Sequence, residues 1–121
     1  MFTAPSDLPD DAVADAFGRG WGVAVDAIEY APVGFGSHHW RAVGSSGRWF
    51  LTVDDLDLRL AHPSDSRSTA RGRLVAALST AVSLRSRGCD FVVAPVPSRA
   101  GAVIESIGDH YVLAAYPHVE G

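Results

Sequence analysis

Between Val23 and Leu56 the chain reads as three runs rich in β-branched and aromatic residues, separated by two glycine breaks, Gly34-Phe35-Gly36-Ser37 and Gly44-Ser45-Ser46-Gly47. Breaks that short join neighbouring strands as antiparallel hairpins, so this stretch commits the chain to a β-meander. The runs are Val25 to Val33, His38 to Val43 and Arg48 to Val53. In the third, Trp49, Leu51 and Val53 alternate with Arg48, Phe50 and Thr52, which gives one apolar and one mixed face.

Helical signals flank the meander. Ser6 or Asp7 can cap a leading helix, Pro9 suits its first turn, and Gly18 and Gly20 are expected to stop it. Leu8, Ala12, Val13, Ala16 and Phe17 fall on one stripe. Asp54 to Asp65 reads as an exposed acidic connection. A second helix is expected from Ser66 or Ser68 to about Arg87, ended by Gly88, with Leu74, Val75, Leu78 and Val82 as its buried stripe. Phe91 to Val96, Ala102 to Ile107 and His110 to Tyr116 read as further strands, the last two joined at Gly108-Asp109. The expectation is a single α+β domain over residues 1–121: an antiparallel sheet of about five strands, one main packed helix and a short N-terminal helix.

Composition narrows the function classes. The 121 residues carry 14 carboxylates against 10 basic residues, all arginine, for a net charge of -4. A nucleic-acid footprint is therefore not expected. No apolar run approaches the ~20 residues that span a bilayer, so no membrane role is expected either. Cys89 is the single cysteine, which fits a reducing compartment and a cytoplasmic location.

Few residues suggest chemistry directly. His38 and His39 with His62, Asp54, Asp55 and Asp57 invite a metal site, but adjacent strand residues point to opposite faces, so no metal site is expected. Ser37 beside His38 lacks an orienting acid for nucleophilic catalysis. Trp21, Trp40 and Trp49 are scattered, as packing residues are. Gly34-Phe35-Gly36-Ser37 lies between two strands, where side-chain-free backbone can approach phosphate oxygens. A plain hairpin turn is the ordinary account of the same glycines, since neither a G-K-[ST] ending nor a third glycine is present.

Taken in order, G-W-G at Gly20 to Gly22, V-G-F-G-S-H-H-W, W-F-L-T-V, a helix, Pro95-Val96-Pro97 and the closing A-Y-P-H-V-E-G resemble the N-terminal lobe of the aminoglycoside phosphotransferase family, the small-molecule branch of the protein-kinase-like fold. The resemblance implies ATP as the nucleotide partner. Gly34, Phe35, Gly36 and Ser37 would cover it, Thr52 would stand at the phosphate-facing strand position, and Tyr116 and His118 would lie in the hinge that meets adenine. It also implies departures. Such kinases carry a Lys or Arg where Thr52 stands, paired with a helix Glu, and no Glu occurs between Glu29 and Glu105. Arg41 and Arg48 are the cations nearest the loop in sequence, and a solvated strand face is the ordinary account of both. The family's catalytic and Mg2+-binding groups belong to a C-terminal lobe beyond the hinge, so no catalytic residue is expected in this chain. The alternative is a degenerate, pseudokinase-like binding or interaction module. An apolar lobe edge would favour self-association in either case.

Overall fold

The computed structural model describes residues 4–32, 37–89 and 92–117. Five strands form one antiparallel sheet: β1 (Val25–Ala31), β2 (His38–Gly44), β3 (Gly47–Asp55), β4 (Glu105–Ile107) and β5 (Tyr111–Pro117), in the order β1-β2-β3-β5-β4. Two α-helices accompany it, α1 (Asp10–Trp21) and α2 (Arg67–Ser86), with a 3-10 turn, η1, at Leu56–Arg59. The expected α+β architecture is therefore present.

Each face of the sheet has its own core. Leu51 and Val53 of β3 join Trp40, Leu113 and Ala115 beneath α1, where Val13 and Phe17 are fully buried. At ~1.5–3 kcal/mol for each large apolar side chain, this face supplies most of the fold's hydrophobic stabilisation. The Trp40 indole also donates to Asp10 Oδ1 at 2.8 Å, so the deepest tryptophan is tied to the first turn of α1. The opposite face is thinner. Leu56, Ile104, Val112 and Ala114 pack with Ala70 of α2, while Leu74, Val75 and Leu78 are only half-buried.

Several local expectations are corrected. Helix α1 runs through Gly18 and Gly20, and Gly22 ends it in the left-handed region at φ 69°. The two earlier glycines permit close approach rather than termination, for a Cβ on Gly20 would lie 3.1 Å from Glu105 Cγ of β4. Pro9 precedes α1 in extended conformation and no side chain caps it. Helix α2 follows expectation more closely, since Ser66 Oγ accepts from Thr69 N–H at 3.1 Å. Its expected stripe is half-buried at best, because α2 packs chiefly against η1.

Residues 92–96 are not a strand. Pro95 and Pro97 lack the N–H groups a ladder requires; the Val96 N–H makes a single bond to the sheet, to the Ala115 carbonyl at 2.8 Å, while its carbonyl accepts from the Trp21 indole at 2.7 Å. Only Glu105–Ile107 of the expected 102–107 run is extended into the sheet. The acidic connection is reassigned as well: Asp54 and Asp55 end β3, and Asp54 is buried.

Candidate functional site

Because Leu51 and Val53 enter the α1 core, the alternate residues Phe50, Thr52 and Asp54 turn to the other face of the sheet. Register supplies their neighbours. Phe50 sits between Arg41 and Tyr116, Thr52 between His39 and Ala114, and Asp54 beside Val112. The His39 ring stacks on Phe50 with centroids 5.0 Å apart and planes 24° from parallel. Its Nδ1 lies 3.2 Å from Thr52 Oγ1. Phe50, Thr52, His39 and Tyr116 are all half-buried. They make an aromatic surface with hydroxyl groups on it.

Burial pushes the His39 imidazole below its ordinary pKa, outweighing the nearby Asp54 charge that acts the other way. The neutral ring has one donating and one accepting nitrogen. Burial raises the Tyr116 phenol, and Asp54 adds to that shift. His38 points the other way, into the α1 core, where its Nδ1 meets Tyr30 Oη at 2.9 Å and burial again lowers its pKa. His38 and His39 thus face opposite sides of the sheet, as a period of two requires.

At the β2 end of the glycine segment stands a cluster that sequence inspection missed. Asp54 is 5% exposed and Ser37 7%. Ser37 Oγ donates to Asp54 Oδ1. The η1 turn folds Arg59 back onto both: Nε donates to Asp54 Oδ1 at 3.1 Å, and Nη2 donates to Ser37 Oγ at 3.0 Å and to the same Asp54 oxygen. Leu56, buried at 4% exposure, anchors that turn, and its N–H donates to the His110 carbonyl at 2.7 Å. The legible signal was parity, since Asp54 continues the Phe50–Thr52 face. The return of Arg59 depends on the turn and has no local signature.

Of the expected site residues, Thr52 and Tyr116 share this face and Ser37 stands at its rim. Gly34, Phe35, Gly36 and His118 lie outside the described residues. Arg41 is exposed and lies 3.6 Å from Glu29 Oε1. Arg41 and Arg48 are four and six residues along the sheet from the Asp54 row, roughly 13 and 20 Å at the usual rise.

The acidic residues converge differently from the imagined metal set. His62 is exposed in the loop after η1, and Asp54 is held by Arg59. Asp55, Asp57 and His110 bring ligand atoms within 4.8 Å of one another. However, Asp57 accepts from Arg67 at both oxygens, at 2.7 and 3.0 Å, and His110 Nδ1 is engaged by Asp109 at 3.0 Å. The arrangement is an ion-pair network. A separate cavity of about 400 Å³ opens between the end of α2 and the end of β5, lined by Val82, Val93, Pro95, Val96, Tyr116 and Pro117.

Among the described residues, no helix is long and apolar enough to cross a membrane. No protein-family model matches the sequence, and no curated protein matches it. Among solved structures the chain is similar to a spectinomycin phosphotransferase, APH(9)-Ia, crystallised with ADP and spectinomycin. The TM-score is 0.65 at 12% identity, and the match covers 90% of this chain but 29% of that one. The α+β fold, with its five-stranded antiparallel sheet and two helices, is thus that of a kinase-like N-terminal lobe.

Proposed function

We propose that this chain is the nucleotide-binding lobe of a small-molecule phosphotransferase, and that it acts with a catalytic C-terminal lobe. The observation that carries the reading is the half-buried surface of His39, Phe50, Thr52 and Tyr116 on a kinase-like lobe. A flat apolar surface with a few polar groups suits the face of a purine. Its register puts it on the same side as Ser37, at the end of the Gly34–Gly36 segment proposed to cover the phosphates. ATP is the proposed nucleotide, and the neighbour's ADP supports that choice. The reaction is transfer of the γ-phosphoryl group to a hydroxyl oxygen of a small acceptor, with ADP leaving. In phosphoryl transfer, catalysis is mostly positioning and charge stabilisation, so the groups that hold Mg2+ and take the hydroxyl proton belong to the second lobe. The apolar cavity beside Tyr116 and Pro117 fits a surface that another lobe, or another copy, would cover.

One observation favours a second reading, a degenerate binding module without activity. Thr52 stands where a cation is expected, its hydroxyl lies against His39, and α2 contains no carboxylate to pair with a cation. Titration of the purified chain with ADP, followed by amide NMR shifts, separates the two. The lobe reading expects shifts at His39, Thr52 and Tyr116, and an affinity on the order of tenfold tighter in Thr52→Lys, the worth of one added charge contact. Absence of any shift in either protein overturns it and leaves the second reading.

A further inference from the structure

The missing strand cation leaves a question of charge. A nucleotide phosphate needs positively charged or strongly donating groups close by, and Thr52 supplies a single neutral hydroxyl. We propose that Arg59, delivered from outside the sheet by η1, is the residue that contacts the nucleotide's phosphates. This rests on the nucleotide-lobe reading above.

Three observations carry it. First, the guanidinium lies on the same side of the sheet as Thr52 and the aromatic surface. It bonds to Asp54, two residues beyond Thr52 on the same face of β3, and to Ser37, which precedes β2. Second, the guanidinium is oriented. Its Nε and Nη2 are turned inward to Asp54 and Ser37, while Nη1 has no partner among the described residues and the side chain is 43% exposed. A planar fork held along one edge presents its remaining donors in a set direction, and little further side-chain entropy is lost when an oxygen ligand binds them. Third, Arg41 and Arg48 lie well along the sheet from this end, and Arg41 is already beside Glu29.

The pairing with Asp54 sets the character of the contact. Asp54 and Arg59 cancel one another in net charge, so Arg59 acts through short hydrogen bonds and not through a long-range field. Affinity should therefore depend only weakly on salt. Asp54 and Ser37 are positioning residues on this view. A purely structural role, in which the cluster only pins the end of the glycine segment, predicts instead that any substitution of Arg59 alters base and phosphate binding alike.

The experiment compares ADP with adenosine by calorimetric titration of the 121-residue chain. In the unsubstituted protein ADP should bind more tightly than adenosine, by on the order of ten- to a hundredfold, the value of charge-assisted bonds to phosphate. Arg59→Met should abolish most of that difference while leaving adenosine affinity unchanged, and Arg59→Lys should retain part of it. Removing Arg59 alone strands a buried carboxylate, so Asp54→Asn/Arg59→Met, which removes both charges, is measured in parallel as the variant that keeps the fold. If Arg59→Met or the double variant keeps the full ADP preference, or loses ADP and adenosine binding equally, the assignment is overturned. Equal binding of ADP and adenosine to the unsubstituted chain also overturns it while sparing the nucleotide reading. Failure of both ligands to bind overturns that reading and this one together.

Discussion

Adjacent histidines show how much one residue's setting depends on strand parity. His38 enters the α1 core and His39 lies on the open face, yet burial lowers the pKa of both. Their folded values lie below that of the unfolded chain, about 6.5, so between the two values the unfolded state binds more protons. Their contribution to stability is complete above about pH 6.5 and is lost as the pH falls toward the folded values. His110 acts in the opposite sense. Its hydrogen bond to Asp109 raises its pKa, so its contribution is complete below about pH 6.5 and fades as pH rises through the raised value. Thermal melts should therefore show a falling Tm between pH 7 and pH 5. His39→Gln should make that slope shallower, and His110→Gln should lower Tm more at pH 6 than at pH 9. Unchanged slopes would assign the acid sensitivity elsewhere. The outward and inward directions of these histidines were legible from a period of two. The buried state of Asp54 was not, because an aspartate at the end of a strand has the same local signature as one in a loop.

Among the elements, α1 and η1 show what punctuation can and cannot specify. Gly18 and Gly20 were expected to end α1, yet the helix runs through both and stops at Gly22, a choice that packing makes. Gly22 adopts positive φ, and a Cβ there would also meet Arg99 Cδ at 2.8 Å. Gly88, also at positive φ, has nothing within 4 Å of such a Cβ. Gly22→Ala should thus cost more than the ~1 kcal/mol expected for left-handed strain alone, and Gly88→Ala about that amount or less; urea unfolding of the two variants checks the order. The four residues of η1 were read as part of an exposed connection. Leu56 buries beneath Val112 and Ala114 and carries Arg59 back to Asp54. Hydrophobic periodicity has no purchase on a segment that short, so its role was out of reach.

For the whole molecule the unequal cores are the main consequence. The α1 side closes around Phe17 and Trp40, both fully buried, whereas the α2 side leaves Leu74, Val75 and Leu78 half-exposed. Phe17→Ala should cost ~3–5 kcal/mol, as core truncations do, and Leu78→Ala well under half of that; denaturant melts of the isolated chain measure both. A second lobe covering α2 would raise the cost of Leu78→Ala, which makes the same substitution a probe of lobe contact. The meander, two helices and the α+β class were determined by the sequence alone, because short glycine breaks, alternation and a capping serine act over a few residues. Tertiary structure alone decided which glycine ends α1, that Pro95 and Pro97 keep their segment out of the sheet, and that Asp54, Ser37 and Arg59 meet. Those outcomes depend on contacts between segments distant in the chain or on a turn's exact path, and local patterns of hydrophobicity do not encode them.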